Sequence, residues 1–210
     1  MNEFLVRSLS AIAMMLIAVA AAFQGGYYFA VLVAAAATLL YFEWTRIARG
    51  WGPGWTVAGF VYALLPALAL LWVRDRADHG LALLLWIFIV TWTTDIGAFL
   101  VGRAFGRTKL APSISPGKTV EGLYGGMAGA TILGGAWVLL TGLDLTLLVL
   151  APLLALAAQG GDLFESWMKR RAGVKDSGRL LPGHGGLFDR LDGLVPVAVL
   201  TAAVQLAGLA

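Results

Sequence analysis

A chain of 210 residues that is 60% hydrophobic and 13% charged, with a mean hydropathy of +0.83, falls outside the ordinary soluble class, where about a quarter of residues are charged. It has no cysteine, which excludes a disulfide framework and thiolate metal sites and leaves oxygen or imidazole to hold any metal. The formal net charge of +3 suggests a nucleic-acid partner only until the charges are placed along the chain.

The expected fold is an all-α polytopic membrane protein, a bundle of about seven transmembrane helices with cytoplasmic catalytic loops. It is read as a single integral membrane domain over 1–210, with N-terminal spans in 1–80 and a catalytic part in 81–210. The first apolar run covers Ser8 to Phe23. Ala20-Ala21-Ala22 would pass for a signal-peptide cleavage site, but a second span follows at once, from Tyr27 to Ala48. Glu43, Trp44 and Arg46 near its end suit a membrane interface. Pro53 marks the break before span three, Trp55 to Val73, and span four runs from Leu81 to about Val101. A polar loop is expected over Gly102 to Glu121, then span five over Gly122 to Leu140, rich in glycine and alanine. Span six starts near Leu145 and continues as a helix out of the bilayer towards Arg171. The charged stretch 166–192 and a last span over Gly193 to Leu209 complete the count.

With the N-terminus cytoplasmic, thirteen of the fifteen Lys/Arg fall on the cytoplasmic side and only Arg74 and Arg76 on the other. The positive-inside rule then predicts a plasma-membrane or bacterial-type inner-membrane protein with both large polar loops in the cytoplasm. Membrane insertion alone accounts for such a bias, so no nucleic-acid partner is expected.

Three groups of residues carry candidate chemistry. Asp162, Ser166 and Lys169/Arg170 share a helix face, with Glu165 and Lys169 forming an i,i+4 pair. A carboxylate at the membrane edge is costly and marks function, although Asp162 also reads as an interfacial charge. Asp189 and Asp192 are three apart, as a Mg²⁺ site shared with substrate phosphates would need, or as helix capping would. Between these groups, Gly183-His184-Gly185-Gly186 describes backbone able to approach a phosphate. Lys169, Arg170, Lys175, Arg179 and Arg190 supply cations for a triphosphate, or equally for anionic lipid headgroups. The third group, Ser115-Pro116-Gly117-Lys118-Thr119, is like the end of a phosphate-binding P-loop, but the required first glycine is Pro112 and no strand precedes it. Lys118 and the hydroxyls remain phosphate candidates, and Asp95 is a buried-charge candidate with Arg103 or Lys118 as partner.

These residues fall into a recognisable pattern. Ser166, Lys169-Arg170, Lys175-Asp176, then Pro182, His184-Gly185-Gly186, Asp189-Arg190 and Asp192 resemble the signature of phosphatidate cytidylyltransferases without departure across 27 residues. Thr94-Asp95, Gly102-Arg103, Phe105-Gly106 and Ser115-Pro116, Lys118-Thr119, Glu121-Gly122 are similar to that family too. The resemblance covers the C-terminal part of the chain; the N-terminal spans match only in kind, and the chain is short for the family.

The resemblance implies a membrane enzyme that makes CDP-diacylglycerol and pyrophosphate from CTP and phosphatidic acid, with Mg²⁺, a second cation, K⁺, and a homodimer. It implies Asp162, Asp189 and Asp192 as metal ligands. Lys169, Arg170, Lys175 and Arg190 would stabilise the triphosphate and pyrophosphate, Ser166 and His184 would orient ligands, and Lys118 would hold a phosphate. Asp95, Ser115, Arg179, Gly185 and Gly186 complete the expected substrate contacts. A CTP-dependent polyprenol or dolichol kinase is the rival enzyme reading. A transporter is the non-enzymatic one, but it predicts mid-membrane polar residues and an internal repeat, and apart from Asp95 the spans offer little of either.

Overall fold

The computed structural model describes residues 3–178 and 185–209, apart from the side chains of residues 3–9 and 11. Long apolar runs leave helix as the only way to satisfy every backbone polar group in lipid, and the chain obeys. Four helices come first: α1 (Glu3–Gln24), α2 (Gly26–Ile47), α3 (Pro53–Arg74) and α4 (Gly80–Phe105). The break between α2 and α3 is made by Gly50 and Gly52, at φ 82° and 101°, and Pro53 starts α3 where its missing N–H costs nothing. α5 (Val120–Gly129) passes through one π turn (Ala130–Gly134) into α6 (Gly135–Thr141). α7 (Thr146–Arg171), the short α8 (Phe188–Leu191) and α9 (Leu194–Leu206) follow.

Helices occupy all seven expected spans, but five are long and apolar enough to cross a membrane: α2, α3, α4, the unit Val120–Thr141 and α7. Ile12–Gln24 and Leu194–Leu206 are shorter apolar helices. The 13 residues of α9 reach about 20 Å at 1.5 Å per residue, less than a hydrocarbon core of about 30 Å. The chain is thus a helical integral membrane protein.

The expected polar loop after span four is more ordered than its composition suggests. α4 continues to Phe105, and β1 (Lys109–Ala111) pairs antiparallel with β2 (Ser115–Thr119) in the register Lys109↔Thr119 and Ala111↔Ser115. The Glu121 carboxylate accepts the N–H groups of Arg107 and Thr108, both at 3.1 Å, which closes the base of the hairpin. The Thr119 hydroxyl accepts from Gly122 N–H at 3.1 Å and caps α5. Hairpin and helix are therefore one unit, and Lys118 leaves it from a defined position.

α4 and α5 approach closely because their facing residues are small. A Cβ on Gly97 would stand 2.5 Å from the Gly125 carbonyl oxygen, and one on Gly126 would stand 2.8 Å from that of Thr94. Gly97→Ala should therefore destabilise the protein by about 1–3 kcal/mol, the range typical of overpacking, seen as a lower melting temperature in detergent. An unchanged melting temperature would mean that the two helices separate freely.

A second cluster lies under the polar end of the bundle, where Leu40, Trp44, Met168, Phe188 and Val195 are buried together. Trp44 donates to the Trp55 carbonyl at 2.7 Å and stacks on Phe188 with centroids 5.9 Å apart. Glu43 and Trp44, read from the sequence as suiting a membrane interface, are both buried inside the protein, each 2% exposed. Trp44 anchors the floor on which the short α8 rests.

Candidate active site

α7 presents Gln159, Asp162, Glu165, Ser166 and Lys169 along one face, as spacings of three and four require. Lys118 reaches this face from β2, with its ammonium 2.6 Å from Asp162 Oδ2 and donating to Gln159 Oε1 at 2.6 Å. Gln159 in turn donates to Asp95 of α4 at 3.5 Å. Ser166 donates to Asp162 Oδ1 at 3.3 Å. Asp192, between α8 and α9, completes a group in which one carboxylate oxygen each of Asp162, Glu165 and Asp192 lies within 4.8 Å of the others. Burial, then the negative charges of Asp162 and Asp95, push the Asp192 carboxyl well above the usual carboxylate range. Its Oδ1 accepts the Gly193 N–H at 2.8 Å.

Close approach of α7 to the start of α9 depends on Gly161, because a Cβ there would collide with the Asp192 carbonyl oxygen. Gly161→Ala should displace Asp192 and depress turnover far more than it depresses folding. Kinetics and melting temperature measured on the same preparation would check this; equal losses in both would count against it.

Asp189 stands beside this group, not within it. Lys169 bridges Glu165 Oε2 at 2.6 Å and Asp189 Oδ1 at 2.5 Å. Asp189 Oδ2 accepts from Ser177 N–H at 3.0 Å, Ser177 hydroxyl at 2.9 Å and Gly186 N–H at 2.8 Å. Burial opposes ionisation of Asp189, but contacts with Glu165, Lys169 and the Gly186 N–H outweigh it and hold the carboxyl at about 2. The expected pairing of Asp189 and Asp192 on one helix face is replaced by two separate environments, since α8 ends at Leu191 before α9 begins.

Glu43, read from the sequence as an interfacial residue and not as part of the site, holds the same segment from below. Its Oε1 accepts Leu187 N–H at 3.0 Å, and its Oε2 accepts Phe188 N–H and the Ser177 hydroxyl, each at 2.8 Å. Of the segment read as a phosphate cradle, the Gly186 N–H is thus occupied by a carboxylate of the chain itself, as are the neighbouring N–H groups of Leu187 and Phe188. Gly185, at φ 83°, brings the backbone against Asp189: a Cβ there would stand 2.6 Å from Oδ2. A lone acid inside an apolar run was the signal for Glu43. For Glu165 it was the three-residue spacing from Asp162, which its ion pair with Lys169 masked.

The other expected residues divide plainly. Arg170 turns to the hairpin, donating to the Ile114 carbonyl at 3.2 Å and to that of Val174 at 3.4 Å. Ser115 sits in β2 opposite Ala111. Arg190 is exposed on α8 within electrostatic reach of Asp95. Lys175 is exposed and lines a separate cavity. Arg179 and His184 lie outside the described residues.

Carboxylate oxygens gathered around one point, with two lysines at the margin, suit a hard divalent cation and phosphate oxygens. The buried Glu165 Oε1, which has no hydrogen-bond partner among the described residues, is the orphan acceptor such a cation would satisfy.

Comparison with known proteins agrees with this chemistry. The family model described as "Cytidylyltransferase family" matches residues 51–207. A phosphatidate cytidylyltransferase of Brucella suis biovar 1 (strain 1330) is 47% identical over 159 residues, 71% of this chain and 56% of its own. One from Staphylococcus saprophyticus is 41% identical over 136 residues, 63% of this chain and 52% of its own. One from Haemophilus influenzae is 46% identical over 123 residues, 55% of this chain and 43% of its own. The chain spans about half the length of the relatives it matches. With its family model spanning the site and most of the bundle, the chain belongs to the cytidylyltransferase family.

Proposed function

We propose that this chain catalyses attack of a phosphatidic acid phosphate on the α-phosphorus of CTP, giving CDP-diacylglycerol and pyrophosphate. The observation that carries the reading is the three-carboxylate group of Asp162, Glu165 and Asp192, flanked by Lys118 and Lys169. Beside it, an apolar groove of about 440 Å³ runs between α3, α7 and α9, with Leu65, Phe164 and Leu200 on its walls and Gly161 at its inner edge. Headgroup chemistry next to an apolar groove suits a lipid whose acyl chains stay in the bilayer.

A phosphate monoester is a capable nucleophile at neutral pH, so positioning and charge neutralisation carry most of the task. Asp162, Glu165 and Asp192 would hold Mg²⁺, which when bound offsets charge on bridging phosphate oxygens. Asp189 would join them only if Lys169 left it. Lys118, already against Asp162, is placed to exchange that carboxylate for a substrate phosphate. Lys169 is placed to meet the pyrophosphate side, with Arg190 nearby on α8. Ser166 orients Asp162 through its hydroxyl. A K⁺ ion as second cation, a homodimer, seven spans, an inner-membrane location and a cytoplasmic active-site face belong to the same proposal; the lysine and arginine bias supports the orientation.

The test is turnover by purified protein in detergent, with CDP-lipid and pyrophosphate both followed from CTP and phosphatidic acid. Equal yields of the two, abolished by chelation and restored by Mg²⁺, are expected. CDP release with phosphorylation of an added polyprenol, or no turnover of either lipid, would overturn the reading.

A further inference from the structure

The C-terminal end of α2, the N-terminal end of α3 and the C-terminal end of α7 meet at one edge of the bundle. They enclose a cavity of about 730 Å³ whose walls include Arg46, Arg49, Trp51, Arg171 and Lys175. None of Asp95, Lys118, Asp162, Glu165 or Asp192 lines it. Arg171 is seated among aromatic rings, its guanidinium carbon 4.3 Å from the Trp51 ring centre and 5.5 Å from those of Trp55 and Trp167. Cation–π contact of this kind steadies a guanidinium that can still offer N–H groups to an anion.

Among the described residues, four cations share this cavity with a single carboxylate, Asp176. Among the described residues none of the four takes part in an ion pair, and residues 179–184 contain no acid. Glu43, the nearest buried acid below the Ser177–Gly178 floor, is occupied by Ser177, Leu187 and Phe188. Four cations are therefore gathered, among the described residues, with one carboxylate between them, an excess of positive charge that favours an anion. A volume of this size suits a small phosphorylated molecule of nucleotide or headgroup dimensions better than a bare ion.

We propose that this cavity is a second anion site, which binds a phosphate-bearing small molecule through Arg46, Arg49, Arg171 and Lys175 independently of the Asp162–Glu165–Asp192 group. It holds whether or not the cytidylyltransferase reaction is correct. Its floor touches the catalytic segment through one side chain: Ser177 lines the cavity and donates to Asp189, which holds Lys169. Occupancy would therefore brace the loop that positions Lys169.

Labelled pyrophosphate binding to the full chain in detergent, at low salt and with chelator present, tests it. Saturable binding is expected, weakened about a hundredfold or more in the double variant Arg49→Gln/Arg171→Gln, since each lost charge-assisted bond removes about a decade of affinity or more. Arg46→Gln, outside the tryptophan stack, should weaken it too, and Lys118→Gln should leave it in place. Displacement by dihexanoyl phosphatidate but not CTP would identify a lipid headgroup as the source of the phosphate. Displacement by CTP alone would identify a nucleotide, and either result supports the site. Absence of binding, or binding that survives both arginine variants and disappears with Lys118→Gln, would overturn it.

Discussion

Asp162→Asn should reduce turnover of CTP and phosphatidic acid by a factor on the order of 10²–10³, the scale of removing one preorganised electrostatic contact from a reaction centre. Asp162 touches Lys118, Ser166 and the oxygens of Glu165 and Asp192, so one substitution disturbs both the cation group and the phosphate-facing lysine. Loss of the negative charge should also raise the Mg²⁺ concentration needed for half-maximal rate. Folding should change little, because the side chain is half-buried and asparagine retains an acceptor for Ser166. Steady-state kinetics across a Mg²⁺ series, with melting temperature on the same sample, separates the possibilities. Unchanged turnover would reduce Asp162 to an interfacial charge and remove the principal support for the proposed reaction. Chelation should inactivate the wild type and abolish the residual turnover of the variant as well.

Glu43→Ala should cost several kcal/mol, since each buried donor left without an acceptor costs about 1–3 kcal/mol. Three donors, the N–H groups of Leu187 and Phe188 and the Ser177 hydroxyl, lose their acceptor at once in an environment closed to water. Glu43→Gln should fall between alanine and wild type, since its amide oxygen still accepts while its NH₂ meets a donor. Limited proteolysis should cut segment 172–187 in the alanine variant well before it cuts the wild type, and turnover should fall in parallel. The comparison with Asp162→Asn is informative: one should lose rate with stability intact, the other should lose both. Wild-type resistance to protease in Glu43→Ala would show that the aromatic floor of Trp44 and Phe188 holds the segment unaided.

Much of this was legible before any coordinates. The apolar runs located every membrane helix to within a few residues, because the absence of water in a bilayer leaves helix as the local solution whatever the neighbours are. Spacing alone placed Asp162, Ser166 and Lys169 on one face of α7. What escaped was pairing between distant segments. Glu43 and Ser177 are 134 residues apart, and Lys118 and Gln159 are 41 apart. Asp189 and Asp192, three apart, looked like a pair until the break between α8 and α9 sent one to Lys169 and the other to Asp162. The hairpin before α5 also escaped, since three- and five-residue strands with Pro116 and Gly117 carry almost no alternation.

The sequence by itself determined the class, the helices, the asymmetry of charge and the residues with the chemistry of metal and phosphate, because these follow from local periodicity and composition. Only the tertiary structure decided which carboxylates share a site and which hold the loop. It brought Glu165 into the acidic group, drew Glu43 under the signature segment, and left Arg46, Arg49 and Arg171 facing one another across a cavity. The physical reason is that a carboxylate in a membrane-edge protein must find donors or cations wherever the fold supplies them. Those partners are set by helix packing, through contacts such as Gly161 against Asp192, and no spacing along the chain encodes them.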